Sequence, residues 1–151
     1  MKNLFFTTLV LAAAAHAEVK PDGTILESYC GQATRTHRVC LATVQGSKDL
    51  YIVKETFTVA PNDGFTGSNL TYARVTTVEQ INAVGATTTH YTGYAVGPDD
   101  FNGRYLVQKE VSLTTTQVVR PGLPLRGKYL ENNSVFAEDF VLQPMVTSLS
   151  E

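Results

Sequence analysis

Between residues 24 and 142 the chain consists of short runs of Tyr, Thr, Val, Phe and Leu alternating with polar residues, and nearly every run ends in a turn signal. Useful lengths of the 3.6-residue helical period are missing, which restricts the fold to the all-β class. Strands are predicted over residues 24–29, 39–44, 50–59, 70–80, 87–96, 104–119 and 135–142, with a weaker one over 125–130. Between them stand Gln45-Gly46-Ser47, Pro61-Asn62-Asp63-Gly64, Gly97-Pro98-Asp99-Asp100, Pro121-Gly122-Leu123-Pro124 and Asn132-Asn133. These residues favour reversal because proline presets φ, while Asn and Asp bond their own backbone and tolerate a left-handed conformation. Asp63-Gly64 and Asn102-Gly103 also supply the positive φ angles of tight hairpins. About seven or eight strands so connected predict an antiparallel barrel or sandwich. Only residues 134–140 (SVFAEDF) read two ways, as strand or as two helical turns capped by Asn133 or Ser134.

The first seventeen residues follow a different pattern. Lys2 precedes an apolar run over 4–14 that is too short to span a bilayer, and Ala15-His16-Ala17 offers small residues at the peptidase positions. The expectation is a signal peptide over 1–17 and a single domain over 18–151, delivered to a periplasm or secreted. Cys30 and Cys40 are the only cysteines. In an oxidising compartment they form one disulfide, a staple on a hairpin that contributes roughly 3 kcal/mol. The formal net charge is −2 with no basic block, so an electrostatic footprint for nucleic acid or anionic lipid is lacking. No later apolar run reaches membrane-helix length. A lipid-spanning β-barrel is disfavoured by charges on both strand faces and a Leu149-Ser150-Glu151 end without an aromatic anchor.

Three strands each set one charge into an apolar face. Alternation groups Tyr51, Val53, Glu55 and Phe57; Leu70, Tyr72, Arg74 and Val78; and Tyr105, Val107, Lys109 and Val111. If those faces point inward, Glu55, Arg74 and Lys109 must pair or line a wet cavity, rimmed by Tyr51, Tyr72 and Tyr105. The alternative is that each charge reaches solvent at a bulge or barrel end. A second candidate is the cationic loop between the cysteines, with Arg35, His37 and Arg38, suited to a carboxylate or phosphate. Thr-x-Thr pairs at 34/36, 56/58, 87/89 and 114/116 suggest a threonine surface, but their spacing is irregular.

Catalytic signatures are absent from the sequence. His37 and His90 stand in no metal-ligand spacing, no Gly-x-Ser-x-Gly elbow occurs, and paired cysteines supply no nucleophile. The acidic pairs Asp99-Asp100 and Glu138-Asp139 lack the alternating ligands of a calcium loop. No cofactor or metal is expected. The leading expectation is an exported, non-catalytic domain that binds a small ligand in the barrel interior or at a loop end. The alternative is a protein–protein module, such as an inhibitor or envelope accessory subunit, and a small hydrolase stands third. A convergent Glu55–Arg74–Lys109 cavity favours the first. A filled core with an open sheet edge favours the second.

Overall fold

A computed structural model describes residues 21–60, 64–98, 106–118 and 124–145. The expected signal peptide, Tyr105, most of the turns at 61–64 and 121–124, and the Asn102-Gly103 turn lie outside the described residues. Eight strands follow in order: β1 (Ile25–Thr34), β2 (His37–Val44), β3 (Leu50–Ala60), β4 (Gly64–Ala83), β5 (Ala86–Pro98), β6 (Leu106–Val118), β7 (Leu125–Glu131) and β8 (Ser134–Pro144). Each pairs antiparallel with its neighbours in sequence, and β8 returns to β1, closing a barrel. The all-β expectation holds, and of barrel and sandwich the barrel forms. Among the described residues no helix occurs, so none is long and apolar enough to cross a membrane.

Residues 134–140 are strand. Asp139 sits at φ 57, beside a register shift opposite Gly127 and Lys128. This bulge turns Ala137 and Phe140 to the same face, both buried. An i, i+3 apolar spacing therefore arises here from an inserted residue and not from a helical period. The turn before it is formed by Asn132 and Asn133 at φ 49 and 62, the pair of left-handed residues that a two-residue hairpin needs.

The main core fills the lumen. Val39 and Leu41 of β2, Ile52 of β3, Ala73 of β4, Ala95 of β5, Val111 and Leu113 of β6, Leu125 and Tyr129 of β7, and Phe140 and Leu142 of β8 form one cluster. A second cluster lies on the opposite sheet face of β1 to β4: Cys30, Cys40, Ala42, Val44, Tyr51, Val53 and Tyr72. Cys30 and Cys40 face each other across β1 and β2 and are disulfide-bonded. Closure at the β1–β8 seam rests on Tyr29 opposite Pro144, Cys30 opposite Gln143, and the Met145 amide donating to the Ser28 carbonyl.

Strand lengths are unequal, because a closed barrel requires its strands to tilt and their registers to shear. β4 is 20 residues long. Its first half pairs with β3 as far as Arg74 opposite Tyr51, and its second half pairs with β5 from Ala73 to Ala83.

Candidate functional site

The convergent charged cavity expected from the sequence does not form. Ile52 and Ala73 face the lumen, so their neighbours Tyr51, Val53, Glu55, Tyr72 and Arg74 face outward. Lys109 shares the inward face of β6 with Val111 and Leu113. Glu55 lies 3.6 Å from Arg38, and Arg38 also donates to both carboxylate oxygens of Glu27 at 3.2 and 2.7 Å. Arg74 donates to Asp49 at 3.1 Å at an exposed position. Four of the six expected residues thus share one face, but it is the outer one. The parity of β3 was ambiguous because Leu50 and Ile52 are as apolar as Tyr51 and Val53. The charge that β3 sends inward is Lys54.

Alternation also disperses the cationic loop. Arg35 is exposed in the β1–β2 turn, His37 points into the barrel mouth and Arg38 points out to its two carboxylates. The threonine pairs form no common surface either: Thr87 and Thr89 share the face of Tyr91, whereas Thr114 and Thr116 share the opposite face to Leu113.

At the barrel end near the β1–β2 and β7–β8 turns, a polar cluster that the sequence reading missed closes the lumen. Lys54 of β3 donates to Glu131 of β7 at 2.6 Å, with side chains only 13% and 16% exposed. These strands are four apart in either direction round the barrel, so the ion pair crosses its full width. The Tyr129 hydroxyl donates to the same carboxylate oxygen at 2.8 Å. Burial, followed by the Glu131 charge and hydrogen bond, pushes the Tyr129 phenol well above its ordinary value. Phe136 lies beneath the Lys54 ammonium, 5.0 Å from it, and meets the rings of His37 and Tyr129 edge to face. His37 Nδ1 is 2.8 and 3.0 Å from the hydroxyls of Thr34 and Thr36. Burial, then the nearby Lys54 charge, lowers its pKa against the opposing pull of Glu131.

Beside this cluster is an open depression of about 390 Å³ lined by Glu131, Asn132, Ser134, Val135 and Phe136. Among the described residues no buried side-chain polar atom lacks a partner. The cluster therefore plugs the mouth, with its polar groups already satisfied. His37 does meet hydroxyls and a nearby carboxylate, but those hydroxyls belong to its own turn and Glu131 is held by Lys54 and Tyr129. Glu27, Cys30 and Cys40 also group their ligand atoms, yet the disulfide leaves no thiolate to bind a metal.

The second feature with chemical consequence is a backbone edge. Beyond Arg74, β4 has β5 on one side and, among the described residues, no strand on the other. Residues 76–83 are all exposed, with Val78 and Ile81 54% and 55% accessible and Val84 fully so at the turn. The edge is guarded near its start by a bulge between Val75 and Thr77 and by Glu79. From Gln80 to Thr89 no residue is charged. Exposed strand edges usually carry lysine, proline or a sharp bulge to prevent pairing; this one carries none of them after Glu79. It was not legible in the sequence, because edge status depends on where β3 begins and not on β4 itself.

No family model matches the chain, and no curated protein or solved structure shows significant similarity to it.

Proposed function

We propose that the protein is an exported interaction module that holds a protein partner by strand addition to the free edge of β4. The exposed, nearly uncharged edge over residues 76–83 carries this reading. Such an edge offers a row of backbone donors and acceptors for affinity and alternating side chains for selection. The Lys54–Glu131 pair and its aromatic neighbours support it, because they occupy the barrel mouth through which an interior ligand would enter at that end. Export accords with the Cys30–Cys40 bond, which persists in oxidising compartments. In this reading residues 1–17 are the signal peptide, and mass spectrometry of exported protein should find a chain beginning at Glu18. Arg38, Glu55, Arg74, Arg126 and Lys128 also point outward, interrupting the continuous apolar band that a lipid-facing barrel presents.

The test places a photo-crosslinking amino acid at Val78 in the exporting cell, with Val141 on β8 as an exposed control. A discrete adduct at position 78 that disappears with Ile81→Lys, and does not form at 141, is expected. Adduct formation at both positions alike, or at neither, would overturn the edge as the binding element. The depression beside Phe136 favours a second reading, a small ligand held at the barrel mouth. It would be supported by chemical-shift changes at Ser134, Val135 and Phe136 on titration with a small-molecule fragment set, and removed by their absence.

A further inference from the structure

We infer that the partner on the β4 edge is a second copy of this chain, paired antiparallel about a twofold axis at Gln80. This rests on the strand-addition reading above and identifies its occupant. Opposed residues in an antiparallel ladder point to the same face, so a twofold axis normal to the sheet must pass through a residue paired with its own copy. That leaves few registers. An axis at Glu79 sets two carboxylates directly opposite, which is destabilising. An axis at Val78 drives Gln80 onto Thr76, the bulge residue whose hydroxyl donates to the Thr92 carbonyl, and brings Ile81 against half-buried Val75, where the barrel wall begins. An axis at Ile81 sets Val84 of the turn against Val78 and shortens the overlap.

An axis at Gln80 avoids each of these conflicts. It sets Glu79 opposite Ile81, Val78 opposite Asn82 and Thr77 opposite Ala83. The two Gln80 amides then face each other and hydrogen-bond, and the two Ile81 side chains approach on the diagonal across the axis. The only charge on the segment, Glu79, lies on the same face as Ile81 and opposite Ile81 of the copy, so its carboxylate must extend past that side chain to solvent. The uncharged run from Gln80 to Thr89 lets two identical ribbons approach without repulsion. The result is one continuous sheet, β6-β5-β4 joined to its copy, in which each edge satisfies the other and no free edge remains at the closed interface.

The experiment uses the mature chain from Glu18. Sedimentation velocity from micromolar to millimolar concentration should show monomer passing to dimer, and Ile81→Lys should abolish the dimer while leaving circular dichroism unchanged. Gln80→Cys should oxidise to a covalent dimer, whereas Val141→Cys should not. Those amides over 76–83 that point away from β5 should exchange fast in dilute protein and slow as dimer forms, while those bonded to β5 stay protected throughout. A dimer that survives Ile81→Lys would place the interface elsewhere and overturn the proposal. A chain that stays monomeric with fast-exchanging edge amides would overturn self-pairing alone and leave the edge free for another strand. Edge amides already protected in dilute monomer would overturn both.

Discussion

Lys54 and Glu131 show how one inverted residue parity changes the interior. Each charge sits among apolar side chains, and the pair holds together because the other oxygen-bonding group, Tyr129, shares the carboxylate. Removing one partner strands the other, so Lys54→Met should destabilise the fold by about 3 kcal/mol in urea unfolding. Lys54→Met combined with Glu131→Leu should recover much of that loss, since no charge is then left alone; strict additivity of the two single changes would show that they do not interact. His37 adds a pH dependence of definite sign. Its pKa in the fold lies below the ordinary imidazole value of 6.5, so the unfolded chain takes up the proton first as pH falls. The stability from neutral His37 is complete above that value and is lost as pH drops through the folded one. Urea midpoints should therefore fall between neutral and mildly acidic pH, and His37→Gln should flatten that part of the slope.

Among the strands, the barrel closes where side chains are missing. Gly31 of β1 brings its backbone against the Val141 carbonyl of β8, and Gly93 of β5 lies equally close to the Arg74 carbonyl of β4. A Cβ at either place would meet backbone, which cannot swing aside as a flexible side chain does. Gly31→Val should loosen the β1–β8 seam at a cost of about 1–3 kcal/mol, read as faster amide exchange at Ser28, Cys30 and Met145. The seam has few paired residues, so local opening should precede global unfolding there. The Cys30–Cys40 staple acts on the next hairpin, whose ladder already runs from Ile25 to Thr34 with two register shifts. Replacing both cysteines with Ala should cost roughly 2–3 kcal/mol and leave the β circular dichroism intact. Loss of the barrel would mean that the bond directs the fold as well as stapling it.

For the whole molecule, the same shear that closes the barrel also leaves it an edge. Because β4 leans from its pairing with β3 into its pairing with β5, its second half extends past the start of β3 at Leu50. The structure is thus closed around its core and open at one ribbon, which is why its proposed contacts are with chains and not with a ligand in the lumen. Strand number to within one and most strand positions follow from the sequence alone, because β-branched runs and turn residues act over a few neighbours. Asn132-Asn133 ends β7 wherever the strand lies in space. The disulfide was legible for the same reason: two cysteines ten positions apart in a hairpin pattern have few other partners. Residues 64–69 joined β4 against their Gly, Ser and Asn content because β3 was there to pair with them. Which face of β3 turned inward was a tertiary decision, since both carried apolar residues and burial depends on what lies across the lumen. The meeting of Lys54 with Glu131, from strands on opposite sides of the barrel, could not be read from either segment. The free edge of β4 belongs to the same class. Local physical chemistry wrote the strands into the chain, while closure, with its tilt and shear, decided which side chains met and which backbone was left unpaired.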